Sequence, residues 1–205
     1  MDEYKILIEK SQKLHGELCP GVIIGTRMSI AAMKKLGMDP LEKNDHLMVY
    51  VETDRCMPDA VEAITGCTVG HRTLKFRNHG KFVATFIDMK TGKAVRVSAK
   101  DDKTSSYPGL WNWFDTIIEL RKNGKMKDVM GEKKATIKKL SQMPDEELLN
   151  LEDVEFEVPK NEIPSMPDHI VKCSVCGEHV MDQKEVTVNG AHICRACAHE
   201  LYKVQ

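Results

Sequence analysis

The chain of 205 residues has no apolar run approaching the roughly 18 residues that a membrane-crossing helix needs, so helical membrane proteins drop out of consideration. It also lacks an apolar stretch beside its acidic start, Met1-Asp2-Glu3, that could act as a secretory leader, and a cytoplasmic location is expected. Aromatic residues are few, at 5%. Charge of one sign is missing too: 30 Lys and Arg stand against 31 Asp and Glu, which argues against a surface built throughout for nucleic acid or anionic membrane. There are no internal repeats or low-complexity tracts. What is present, 41% hydrophobic and 30% charged residues, is a globular composition, and the length suits one domain with a small appendage.

Against this plain background stand seven cysteines. An odd number without a leader points to a reducing compartment rather than a disulfide scaffold, so the thiols are expected to be ligands or nucleophiles. Cys19, Cys56 and Cys67 lie in the first 158 residues, and Cys173, Cys176, Cys194 and Cys197 in the last 33. Between the groups, Pro159, Pro164 and Pro167 favour an extended connector. The expected organisation is a domain over 1–158, a linker over 159–168 and a small domain over 169–205.

Helical spacing of Tyr4, Leu7, Ile8, Ser11 and Leu14 stops at Gly16, and a second helix runs from Pro20 to Gly37, placing Cys19 at its N-cap. The segment 46–52 reads as a strand, and 57–65 as a short helix closed by Gly66, with Cys56 and Cys67 bracketing it. Strands over 73–77, 81–88 and 93–99, with turns at Asn78-His79-Gly80 and Thr91-Gly92, read as an antiparallel meander. A helix spans 110–121; its aromatics read as core. The fold class is therefore α+β, an antiparallel sheet packed by helices, followed by the small domain. A basic run over 121–139 and an acidic run over 144–162 read as solvated faces or a mutual contact, since no aromatic is interleaved with the basic residues.

Cys173-x-x-Cys176 and Cys194-x-x-Cys197, seventeen residues apart, have the spacing that encloses one tetrahedral zinc ion. Four thiolates leave no open position, so this zinc is structural, and a segment under about 40 residues depends on it to fold. Asn189-Gly190 between Val186, Val188 and Ile193 reads as a hairpin, and the second cysteine pair opens a helical run in the manner of a treble clef. His179, His192 and His199 read as bystanders to a complete cysteine set.

The N-terminal thiols carry a different signal. His15 and Cys19 are four residues apart, with Cys19 at a helix start where backbone amides favour the thiolate. Cys56 also stands at a helix start, beside Arg55. Three thiols and an imidazole would make a borderline-soft site for zinc or iron if the fold gathers them. The segment 66–73 is one residue short of a phosphate-binding loop and has His71 in place of its lysine, so nucleotide binding is rejected. The methionines are dispersed and read as core.

His15-Gly16-x-Leu18-Cys19-Pro20-Gly21, Cys56-x-x-Asp59-Ala60, Thr65-Gly66-Cys67-Thr68-x-Gly70 and Gly92-Lys93-Ala94-Val95-Arg96-Val97 together resemble the FmdE family, proteins associated with molybdenum or tungsten formylmethanofuran dehydrogenase. The resemblance spans most of 1–158. It implies an α+β fold, a homodimer, and a pocket where His15, Cys19, Cys56 and Cys67 gather around a metal, with Asp59 orienting a ligand from behind. The chain departs from the family at Glu17, where many relatives have a second histidine, and at His71, where lysine is common.

Two functions follow as expectations. The first is a metalloenzyme, or a component linked to the dehydrogenase complex and its one-carbon redox chemistry, holding structural zinc and a second metal, zinc or iron, against a small-molecule substrate. The alternative is a non-catalytic accessory or regulatory protein whose finger docks a partner. The finger's near balance of charge, with Lys172, Lys184, Arg195 and Lys203 against Asp168, Glu178, Asp182, Glu185 and Glu200, favours protein over nucleic acid as that partner.

Overall fold

The computed structural model describes residues 3–100, 109–125 and 129–198. The chain divides into two compact units, Met1–Phe156 and Glu157–Gln205.

The first unit begins with two helices, α1 (Glu3–His15) and α2 (Pro20–Lys35), followed by strand β1 (Leu47–Val51) and helix α3 (Met57–Thr65). Next come β2 (Leu74–Phe76), β3 (Val83–Asp88) and β4 (Ala94–Ala99), then helices α4 (Leu110–Lys122), α5 (Val129–Gln142) and α6 (Asp145–Leu148), and finally β5 (Leu149–Val154). The five strands form one sheet in the order β2-β1-β3-β4-β5. One sheet face, with Leu47, Val49, Val51, Phe86, Val95 and Val97, joins the helices in a single core with Leu7, Ile23, Ile24 and Met28.

The expected meander is corrected by the pairing. β2 runs parallel to β1, with Val49 opposite Leu74, while β1–β3, β3–β4 and β4–β5 are antiparallel. The Asn78-His79-Gly80 turn is not a hairpin between neighbouring strands. It wraps the end of β1, where the amides of His79 and Lys81 both donate to the Glu52 carbonyl. Parallel neighbours need a crossover of a dozen or more residues, and α3 supplies it between β1 and β2.

The basic run includes α5, whose Lys133 pairs with Glu17, and the acidic run contributes Asp145 and Asp153, which pair with Arg27 and Lys35 of α2. These ion pairs tie both runs to the helical layer. Arg27 also donates to the Leu140 carbonyl, so one guanidinium joins α2 to the end of α5 and the start of α6.

The helices α2 and α3 pack most extensively on each other, and glycine is the reason. A Cβ at Gly25 would stand 2.8 Å from both the Met57 carbonyl oxygen and the Ala60 Cβ; one at Gly21 would stand 3.1 Å from the Cys56 Cβ. This G-x-x-x-G spacing lets the two backbones approach closely. A buried hydrogen bond from Thr26 Oγ1 to Ser11 Oγ, 2.7 Å, fixes α1 against α2.

The second unit has a 3-10 turn at Lys160–Glu162 within the proline-rich segment, then two ribbons. β6 (Ile170–Lys172) pairs antiparallel with β7 (His179–Met181), and β8 (Val186–Val188) with β9 (Ala191–Ile193), followed by a helical turn, α7 (Arg195–Ala198). Asn189 and Gly190 both have positive φ, 49° and 81°, as the expected two-residue hairpin requires.

Candidate metal centres

In the second unit the four cysteine sulfurs lie within 4.8 Å of one another, with 3.9 Å between those of Cys176 and Cys194. Sulfurs about 2.3 Å from a tetrahedral zinc sit about 3.8 Å apart, so the donor set fits that ion. Backbone amides support the sulfurs: Cys194 N–H donates to Cys173 Sγ at 3.2 Å, and Cys197 N–H to Cys194 Sγ at 3.4 Å. The amides hold the Cys173 thiol down, at about 6, the state a metal ligand needs. His179 and His192 stay outside the cluster. His192 Nδ1 is 4.0 Å from Glu185, whose carboxylate also holds His169 Nε2 at 2.7 Å. His199, with Glu200 and Lys203 of the charge balance, lies outside the described residues.

In the first unit the structure gathers His15, Cys19 and Cys56, whose ligand atoms also lie within 4.8 Å of one another. Each stands at a helix end. His15 is the last residue of α1, and Gly16, at φ 91°, turns the chain so that Cys19 begins α2. Cys19 caps that helix, its sulfur accepting from the Val22 amide at 3.4 Å. Cys56 precedes α3 and makes no capping bond with its side chain. The close approach at Gly21 and Gly25 brings the two helix starts together.

Asp59, one turn into α3, accepts from His15 Nδ1 at 2.6 Å. The other ring nitrogen, Nε2, is thereby aimed at Cys19 Sγ, 3.9 Å away. A carboxylate behind a histidine that presents its free nitrogen to a metal is the usual way proteins fix such a ligand. The Asp59 hydrogen bond also raises the affinity of His15 for a proton.

The two thiols are not equivalent. The helix-start argument favours a thiolate at Cys19, yet Cys19 is buried and donates to Cys56, and both effects raise its pKa. Cys56, which accepts that bond and feels the His15 charge, is lowered to about 6. The pair therefore holds one proton on Cys19 and charge on Cys56, the reverse of the expectation from capping alone.

Cys67 does not join this cluster. It follows the far end of α3 from Cys56, and nine helical residues at about 1.5 Å each separate the two ends by about 14 Å. Its buried thiol donates to the Leu47 carbonyl at 3.2 Å, and burial raises its pKa. Its place is structural, holding the end of α3 to β1.

Sequence reasoning missed several neighbours of the cluster. Phe82 reaches the Gly21 side of α2 and stacks edge-on with Trp111 of α4, with ring centroids 6.1 Å apart, and with Phe114 at 5.6 Å. Lys133 binds Glu17 at 2.8 Å and holds that carboxyl below its usual range. The Gly21/Gly25 spacing was visible in the sequence and could have predicted the helix contact; the partners of Phe82 and Glu17 depend on pairings too distant for a motif.

Comparison with known proteins follows the two units. A family model described as "FmdE, Molybdenum formylmethanofuran dehydrogenase operon" matches residues 14–150, and one described as "Prokaryotic dksA/traR C4-type zinc finger" matches residues 169–203. A "Probable S-adenosyl-L-methionine-binding protein" from Archaeoglobus fulgidus is 29% identical over 210 residues, covering 97% of this chain and 54% of that protein. The chain thus spans about half the length of this curated relative. The crystal structure of an FmdE-like protein of tungsten formylmethanofuran dehydrogenase from Syntrophus aciditrophicus has a TM-score of 0.60 at 26% identity, covering 98% of this chain and 95% of that one.

Proposed function

The chain belongs to the FmdE family, and from that membership, together with the convergence of His15, Cys19 and Cys56, we propose that it is a metalloenzyme with a structural zinc in its second unit and a working metal in its first. The observation carrying the proposal is the three-ligand cluster backed by Asp59. Three protein ligands leave one tetrahedral position for a substrate atom, whereas the four cysteines of the finger leave none. Two sulfurs and one nitrogen suit zinc or iron. When bound, such an ion supplies a Lewis acid at the open position. The chain's own part is to hold His15 Nε2 in place through Asp59 and to keep Cys19 and Cys56 at the starts of two packed helices.

The proposed setting is one-carbon redox chemistry beside a formylmethanofuran dehydrogenase, in the cytoplasm and as a homodimer. The family description and the name of the Syntrophus protein support the dehydrogenase connection. The name of the Archaeoglobus relative makes S-adenosyl-L-methionine a second ligand to assay. Metal analysis of the purified full chain tests the central claim. Two metal equivalents per chain are expected, falling to one in Cys19→Ser and Cys56→Ser; one equivalent in the unaltered chain, all of it lost from the finger, would refute it.

Asp59→Asn provides a finer test. An amide in place of the carboxylate weakens the grip on His15 Nδ1, and loss of such a partner ordinarily costs about 10–100-fold in metal affinity. Competition with a chromophoric chelator should show that drop for the first-unit metal alone. Equal affinity in the variant would mean that Asp59 plays no part in ligation.

An accessory role for the finger remains as a second reading, supported by the exposure of Ile170, Val175 and Met181 on so small a unit. A protein partner captured by the full chain and lost on zinc removal, with no change at the first-unit centre, would favour it.

A further inference from the structure

The same cluster contains the parts of a dithiol switch. Cys19 and Cys56 have their sulfurs within 4.8 Å of each other, while a disulfide needs them at about 2.05 Å, so a closure of about 2–3 Å separates the two states. The backbones already permit the approach. The missing side chain of Gly21 leaves the Cys56 Cβ only 3.1 Å from the point a Cβ on α2 would occupy, so the two helix starts are in near contact. The Cys56 side chain makes no capping hydrogen bond, so a change of its χ1 rotamer breaks no helix cap. Access is unequal as well. Cys56 is half-buried and Cys19 is 7% exposed, so an oxidant small enough to enter meets Cys56 first, with Cys19 behind it.

We propose that Cys19 and Cys56 form a reversible disulfide on exposure to a peroxide, and that its formation releases the metal from the first unit. The consequence for the metal rests on the two-metal reading above; the cross-link itself does not. In the first step the Cys56 sulfur attacks a peroxide oxygen. A sulfur–oxygen bond forms, the oxygen–oxygen bond breaks, and the departing hydroxide leaves as water with the thiol proton. Cys56 is then a sulfenic acid, oxidised by the two electrons the peroxide has gained. In the second step the Cys19 sulfur attacks that of Cys56, the sulfur–sulfur bond forms, and the hydroxyl leaves as a second water with the Cys19 proton. Two thiols and one hydrogen peroxide give one disulfide and two waters, and an external dithiol reverses the oxidation. Of the three ligands only His15 is left, and one imidazole does not hold the ion. By linkage, a bound metal protects both thiols.

Cys67 is the internal control. It shares the α3 region but lies at the other end of the helix, with its thiol on the Leu47 carbonyl. The test treats the reduced full chain with hydrogen peroxide, caps free thiols with a maleimide, and maps tryptic peptides by mass spectrometry. Residues 56–72 form one peptide carrying both Cys56 and Cys67, so fragmentation must place the link. The expected product joins Cys19 to Cys56, leaves Cys67 capped, reverts with dithiothreitol, and appears together with loss of one of two metal equivalents. A link to Cys67, or Cys56 driven to sulfinic acid while Cys19 stays capped, would overturn the switch. A metal-loaded first unit that never cross-links overturns the switch alone. A cross-link in a chain that never held a second metal leaves the dithiol pair standing and removes the metal centre.

Discussion

Replacing Cys173 with serine should unfold residues 170–198 while leaving the first unit folded. The finger has almost nothing else to hold it. Among its described residues only Cys173 is buried, whereas Ile170, Val175, Met181 and Val188 are 44–65% exposed. Its ribbons are three residues per strand, and the Ser174 amide and hydroxyl meet the His192 carbonyl between them. Against that, binding of a structural zinc contributes an apparent folding free energy of about 10–16 kcal/mol near neutral pH. Hydrogen exchange followed by mass spectrometry should show the amides of 170–198 exchanging as in an unfolded chain, in the variant and in the chelator-treated protein alike. Protection there without zinc would show that the ribbons fold on side-chain packing, which their exposure argues against.

The second large effect is expected at Gly25. A β-branched residue there places a Cβ 2.8 Å from the Met57 carbonyl oxygen and from the Ala60 Cβ, and neither can swing aside as the tip of a long side chain would. Overpacking of a tight core costs about 1–3 kcal/mol and at times more, and Gly25→Val, which adds γ-carbons as well, should reach the upper end. Gly25→Ala should cost less, because alanine returns about 0.8–1.0 kcal/mol as the better helix former. Urea unfolding of the first unit measures both. The sharper readout is the cluster. Pushing α3 off α2 carries Cys56 away from Cys19, so Gly25→Val should lose the first-unit metal even where the unit stays folded. Unchanged stability and metal content would mean that the helices have room to separate without consequence.

The sequence made the helices α1 to α4 and strands β1, β3 and β4 legible because each combines a periodic apolar pattern with a terminator: Gly16 after α1, Pro20 at the start of α2, Gly66 after α3. Three features stayed hidden. β5 has a period-two signal in Leu149, Asn150, Leu151 and Glu152, but the surrounding acidic residues outweighed it. α5 presents few apolar side chains, with only Leu140 buried, so its lysines read as a charge run. The parallel pairing of β2 could not be read from local turns, because Asn78-His79-Gly80 looks like a hairpin whichever strand lies beside it. At the site, the residue types were legible and their grouping was not: Cys67 has the same chemistry as Cys56, and only the length of α3 parts them. The assignment of charge between Cys19 and Cys56 likewise depends on who donates to whom, which spacing does not encode.

All of the cluster, His15, Cys19, Cys56 and Asp59, comes from a stretch of 45 residues near the start of the chain, and its supports are α1, α2 and α3. Contacts between residues close in sequence need little loop closure and form early. The helical corner that carries the cluster can therefore assemble on the ribosome while β3, β4 and β5 are still to be made, and the sheet condenses afterwards against a corner already in place. A nascent chain halted after α3 would already contain every ligand of the first centre, whereas the finger's ligands are not all present until Cys197 has been added. The order of synthesis thus gives the two centres different histories: one ready for metal from the start of folding, the other closing it.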